Sequence, residues 1–172
     1  MKKIIKFIIF IISLVCLILL IVYINKSKPE KDTIKIKMEK HKIENLIIEI
    51  PTDFKLDSTD EENHIVYYNY NDKELENTCI VMIGYKDKYT DDMEKEAKDN
   101  IFVTGSYNVE VKNINNQVWT LVSLKHNVKT LYYSYATSYK DKIYNVKYED
   151  LGIGDYCDTV YKKIFKTIKF EE

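Results

Sequence analysis

The spacing of apolar and polar residues changes period several times along the chain, and each change marks an element. Residues 43 to 50 (IENLIIEI) read as a strand ended by Pro51, with a short continuation at Phe54–Leu56. His64–Tyr70 (HIVYYNY) and Thr78–Tyr85 (TCIVMIGY) carry apolar side chains on both alternating faces. Strands of that kind have to be covered on both sides. Four more strand patterns follow at Val109–Ile114, Val118–Leu124, Thr130–Ala136 and Ile143–Tyr148. Short turns around Asn115, Asn127 and Asp141 join them, so neighbours pair antiparallel as a meander.

Two segments have helical spacing instead. In TDDMEKEAKDNIF, Asp91 is the expected cap with Glu94 three residues on, and Met93, Ala97 and Ile101 form a narrow stripe. In GDYCDTVYKKIFKTIKF, Asp155 is the expected cap, and the pairs Tyr156/Cys157, Val160/Tyr161 and Ile164/Phe165, followed by Ile168, form a broad stripe suited to docking on a sheet. The expectation is an α+β fold, an antiparallel sheet of about six to eight strands packed between helices. Long helices do not alternate with the strands, which argues against a doubly wound parallel sheet.

Before all this lies IIKFIIFIISLVCLILLIVYI, residues 4–24, with Lys6 its single charge. A bilayer core takes about 20 apolar residues as a helix, so the run predicts one N-terminal transmembrane anchor. The run leads directly into Asn25 and Lys26 with no Ala or Gly nearby to form a cleavage site, which favours an uncleaved anchor over a signal peptide. Cys16 lacks the small residue that precedes a lipidated cysteine and reads as membrane filler. Lysines flank the run on both sides, so the positive-inside count does not fix orientation. The short basic start resembles an export signal, and the soluble domain is expected outside the cell. The resulting division is 1–24 anchor, 25–42 juxtamembrane stalk and 43–172 domain. Within the stalk, TIKIKMEKHKI alternates apolar with mostly basic residues and suits an edge strand, or a segment lying near anionic lipid.

At 172 residues the chain has room for one domain plus a short extra segment. Every basic residue is lysine, a bias that AT-rich coding in a low-GC bacterium would produce. From Thr33 onward 20 lysines face 25 acidic residues, a balance near −5. Nucleic acid is therefore an unfavourable partner, since its binders carry a basic footprint rich in Arg.

The order of elements also resembles a known family. An opening strand ending in IPTDF, a helix after a first group of strands, then VKNINNQVWTLVS, TLYYSYATSYKDKIYNVKYE and the closing helix CDTVYKKIFKTIKF are together similar to PsbP/DcrB-like domains, over roughly residues 43–170. The resemblance implies an antiparallel sheet between helices and a membrane-tethered envelope protein, and it brings no catalytic residues. Where many members carry Asn-Gly, this chain has Asn115-Asn116, which leaves the turn type open.

Candidate chemistry is sparse. Cys79 and Cys157 are the only cysteines after the anchor and form either a disulfide or two buried thiols on apolar stripes. His41, His64 and His126 stand at no metal-ligand spacing. The segment Asp57–Asn63 lacks the Gly and terminal Glu of a calcium loop and reads as a solvated turn. Gly152 and Gly154 open the last helix, but Cys157 takes the place of the third glycine of a dinucleotide fingerprint. No hydrolase, phosphate-loop or zinc motif is present, so no catalytic, cofactor-binding or metal residue is assigned.

Most of the aromatic ribbon from Asn116 to Glu149, Trp119 included, reads as core. Tyr144, Val146 and Tyr148 alternate with Asn145 and Lys147, so any ligand-facing tyrosine is sought at Tyr139, Tyr144 and Tyr148. The functional expectation is a membrane-anchored, non-catalytic envelope protein that meets the bilayer through residues 4–24 and binds an unknown envelope protein or glycan. The alternatives are a cell-wall or glycan binder using exposed Tyr and Trp, and a protective or immunity-type membrane protein.

Overall fold

The computed structural model describes residues 36–73, 77–99, 106–126, 129–152 and 156–171. The apolar run 4–24 lies outside them; among the described residues no helix is long and apolar enough to cross a membrane. The elements are β1 (Met38–Ile43), β2 (Leu46–Pro51), β3 (Lys55–Asp60), β4 (Ile65–Asp72), β5 (Asn77–Asp87), helix α1 (Met93–Lys98), β6 (Tyr107–Ile114), β7 (Gln117–His126), β8 (Lys129–Tyr139), β9 (Lys142–Asp150), helix α2 (Tyr156–Thr167) and β10 (Lys169–Phe170). Seven strands form one antiparallel sheet in the order β3-β4-β5-β9-β8-β7-β6, and three form a second in the order β1-β2-β10.

The meander β6 to β9 follows from its turns. Asn115 and Asn116 have φ of 49° and 67°, the paired left-handed conformation of a type I′ turn, whose twist matches the flanking strands. Asn tolerates this region because its side chain bonds locally. The Asn115 carboxamide also donates to the Ile168 carbonyl at 2.7 Å and to that of Lys166 at 3.2 Å, tying the turn to the end of α2. Between β8 and β9, Lys140 takes a φ of 54°.

Several boundaries differ from the sequence reading. Residues 43–50 are not one strand: the chain reverses at Glu44 (φ 54°) and Asn45, making a β1–β2 hairpin. The domain therefore begins before residue 43, and Met38 to Lys42, assigned to the stalk, form the edge strand that TIKIKMEKHKI suggested. The acidic segment at Asp57 is a strand as far as Asp60, because β4 offers an open edge that β3 pairs with, interrupted by a bulge between Leu56 and Ser58. The cap of α1 is Asp92, whose carboxylate accepts from the Lys95 amide at 3.0 Å, and Asp91 instead pairs with Lys88. Asp155 and Ile101 lie outside the described residues.

The large sheet has two unlike faces. On one, Cys79, Val81 and Ile83 of β5, Tyr144, Val146 and Tyr148 of β9, Tyr135 of β8 and Trp119 and Leu121 of β7 form the main core with α2 and the small sheet. Trp119 is fully buried, stacked on Phe170 at 6.0 Å and edge-on to Tyr135 at 6.4 Å. Tyr161 of α2 lies 4.4 Å from Tyr133, 4.3 Å from Tyr148 and 4.2 Å from Phe165 between ring centroids. Such offset and tilted ring pairs each add about 0.5–1.5 kcal/mol beyond the area they bury. On the opposite face α1 sets Ala97 against Val122 and Ala136, with Met93 and Tyr107 beside them. The large sheet thus does lie between helices, although the second sheet, which shares the α2 side, was not foreseen.

A disulfide joins Cys79 of β5 to Cys157 of α2, with both residues fully buried and their Cα atoms 5.5 Å apart. It closes a loop spanning a sequence separation of 78 residues. In the chain-entropy account a loop of this length stabilises by about 4 kcal/mol. Replacing both cysteines by alanine is expected to cost that amount in chemical denaturation, and reductant is expected to destabilise the native protein but not the variant.

A second expectation concerns alkali. Burial raises the Tyr135 phenol to about 12, and burial is also the first cause raising Tyr132, Tyr148 and Tyr161. A phenol whose folded value lies above its unfolded value of about 10 stabilises fully below that pH, and the contribution is lost as pH rises through the folded value. Titration is expected to show a cooperative rise in phenolate absorbance between about pH 10 and 12, accompanied by loss of tertiary circular dichroism. Smooth ionisation of every tyrosine with the fold intact would contradict this.

Candidate functional site

The helix α1 is only six residues long and packs mainly on β7 and β8. Among the described residues nothing covers the β4-β5-β9 part of the same sheet face, and there the structure has a cleft of about 670 Å³. Register decides what lines it. Tyr67 stands opposite Met82 and Met82 opposite Lys147; one step along, Ile65 faces Gly84 and Gly84 faces Asn145. Ile65, Tyr67, Met82 and Gly84 form the floor, and Asn145 and Lys147 of β9 border it on the α1 side. A side chain at position 84 would bring its Cβ to 3.1 Å from Ile65 Cγ1, so glycine keeps this part of the floor low. The far rim is the β3–β4 turn, where Asp60 accepts from the Asn63 backbone amide at 3.0 Å and from its carboxamide at 2.8 Å. At the end of that turn His64 (φ 53°) stacks on Tyr85 at 4.7 Å.

The near wall holds two buried charged side chains, Glu96 and Lys147. Glu96 of α1 is 1 % exposed and its Oε2 lies 2.6 Å from Lys86 Nζ. The Tyr89 hydroxyl donates to Glu96 Oε1, and Lys86 Nζ approaches Asp99 Oδ2 at 3.7 Å. Burial works against the Lys86 ammonium, but hydrogen bonds to Glu96 and Tyr89 outweigh it and hold its pKa above the ordinary lysine value. Lys147, 9 % exposed, donates to the Asp99 carbonyl at the end of α1. Burial pulls its pKa down, helped by repulsion from Lys86 and resisted by Asp99, Glu96 and Glu149. Burial also raises the Glu149 carboxyl, with Lys147 opposing. The Asn145 carboxamide oxygen is buried and has no hydrogen-bond partner among the described residues.

An apolar floor between ammonium and carboxylate groups suits a segment presenting both an apolar side chain and polar groups of either sign. No serine, threonine or cysteine lines the cleft, and no group of three or more His, Cys, Asp or Glu among the described residues is placed to hold a metal ion. A second hollow, between α2 and the β6–β7 turn, has lysines 112, 162 and 166 around it, but its floor is the closed core at Tyr135, Tyr161 and Phe165.

The tyrosines singled out from the sequence are not in the cleft. Tyr144 and Tyr148 are fully buried, the first accepting from Asn45 Nδ2 at 3.3 Å and the second packed on Tyr161. They are core residues, not ligand-facing ones: α2 and the small sheet cover the aromatic face of β9, and the open face is the one bearing Asn145 and Lys147. Tyr139 is half-buried, stacked on Phe170 at 4.1 Å, and donates its hydroxyl to the Glu171 carbonyl. Burial of Trp119 removes the exposed tryptophan on which a glycan-stacking surface was to rest. His41 and His64 sit in separate aromatic pairs, with Tyr68 and Tyr85. The sequence signal for the cleft was the alternation along β9; the Lys86–Glu96 pair had none, since Glu96 lies off the apolar stripe of its helix.

Removing Lys86 leaves a buried carboxylate without its cation. A fully buried pair broken in this way costs about 3–5 kcal/mol, and because the Lys86 side chain is 37 % exposed we expect about 2 kcal/mol for Lys86→Ala. The double variant Lys86→Met with Glu96→Leu is expected to recover most of that loss in urea unfolding. Set against family models and against curated proteins, the chain matches none.

Proposed function

We propose that the chain is a membrane-anchored envelope protein whose non-catalytic, PsbP/DcrB-like domain lies outside the cytoplasm and holds a segment of another envelope protein in the cleft beside α1. The observation that carries this reading is the Cys79–Cys157 disulfide, since such bonds persist in oxidising compartments and are rare in the cytosol. The apolar run 4–24 ahead of the domain supplies the anchor in this reading. Its non-catalytic character is supported by the sequence, which has no catalytic motif, and by a lining without a serine or cysteine nucleophile. A protein segment is favoured over a glycan because the floor offers Tyr67, Met82 and Ile65 between charged walls, and no tryptophan platform.

Two measurements test it separately. Phosphatase and green-fluorescent fusions at the C-terminus are expected to be active and dark respectively; the reverse pattern would overturn the compartment. A photo-reactive residue in place of Met82, activated in the native bacterium, is expected to capture a discrete envelope protein, with capture lost on adding Lys147→Glu. Reproducible absence of any adduct would overturn the binding reading while leaving the compartment standing.

A further inference from the structure

The large sheet ends in two edges that are treated differently. At β3 the edge is acidic, fully or partly exposed, and broken by the bulge between Leu56 and Ser58, features that discourage another strand from adding. At β6 the pairing with β7 runs from Tyr107 to Ile114 without a register shift, so the free side of the strand is long and regular. Along it Val109 and Val111 alternate with Glu110 and Lys112. Val111 is 71 % exposed, Val118 beside it on β7 is 57 % and Val109 is 37 %. These three share the sheet face that α1 covers only farther along, at Val122 and Ala136. Among the described residues no strand pairs with this edge, and the combination of such an edge with an apolar strip on one face is a surface for strand addition.

We propose that the occupant of this edge is a second copy of the chain, with β6 pairing antiparallel to itself about a two-fold axis at Val111. The charge pattern selects that register. Antiparallel pairing sets residues of the same face opposite one another, so a self-paired strand must be centred on a residue. Centring on Glu110 would place two carboxylates together, and centring on Lys112 two ammonium groups. Centring on Val111 sets Glu110 of each copy opposite Lys112 of the other, and joins the two valine strips into one. Within a single copy Glu110 and Lys112 are already an ion pair at 3.2 Å, so pairing turns two local contacts into a four-charge array. Like charges directly opposite are destabilising, and among the central registers this is the one that sets opposite charges against each other.

The test uses the full-length chain in mild detergent, with Cys16→Ala to remove the thiol of the apolar run. Directly opposite residues have Cα atoms about 4.5–5.5 Å apart, within the span of a disulfide. Val111→Cys is expected to oxidise to a dimer of twice 20.5 kDa on a non-reducing gel, whereas Asn108→Cys, well off the axis, is expected to stay monomeric. Glu110→Lys alone or Lys112→Glu alone is expected to lower the Val111→Cys dimer about tenfold, and the double swap to restore it. All these positions are exposed strand residues, and rescue by the double swap separates lost pairing from misfolding. Equal cross-linking at 108 and 111, charge reversals without effect, or a chain that remains monomeric would overturn the proposal.

Discussion

The fold depends on the pairing of β5 with β9. It runs in register from Cys79 opposite Asp150 to Asp87 opposite Lys142, and it joins the hairpin-linked strands before α1 to the meander after it. No short turn closes this ladder, so its loop entropy has to be offset by what the two strands bury. The same ladder makes both faces of the protein: Val81 against Tyr148 and Ile83 against Val146 on the core side, Met82 against Lys147 and Gly84 against Asn145 on the cleft side. Core and cleft are therefore not independent, and a slip of one residue would exchange them. The disulfide fixes the β5 end of this arrangement to the helix that covers it.

The cleft exists because of a mismatch in size. A six-residue helix is about 9 Å long, while seven strands at their usual spacing extend over roughly 30 Å. One side of the sheet is closed by α2 together with the small sheet, but among the described residues α1 has nothing comparable beside it. On that side β4 and β5 carry Ile65, Tyr67 and Met82 while β9 carries Asn145, Lys147 and Glu149, and the two lysines and the Glu96 carboxylate sit where sheet and helix part. Buried charge at such a step is held by pairing rather than by water, which gives the wall a fixed geometry.

Much of the architecture was legible. The meander was announced by Asn115, Asn127 and Asp141 between alternating runs, and the aromatic ribbon around Trp119 read as interior because both of its faces are apolar. The β1–β2 hairpin was hidden because Ile43 and Leu46 carry the apolar pattern across Glu44 and Asn45, so the turn looks like more strand. The small sheet was hidden for another reason: β10 is two residues long and pairs with a strand far away in sequence. At β9 the alternation revealed two unlike faces, but a period of two does not say which face the rest of the chain covers. That choice is made by α2 and β2, and with it Tyr144 and Tyr148 moved inside. The Lys86–Glu96 contact, between a strand end and a short helix across an irregular loop, follows no period at all.

The disulfide also divides the molecule by how it can respond to tension. A pull on the two ends of the chain would be carried across the Cys79–Cys157 bond, leaving the covalent loop between them bypassed. That loop contains β5 from Cys79 onward, α1 and β6 to β9, a contour of about 270 Å if fully extended. Of the described elements, β1 to β4, β10 and the body of α2 lie outside it, so the cleft's β5, β9 and α1 parts belong to the region that stretching cannot unravel.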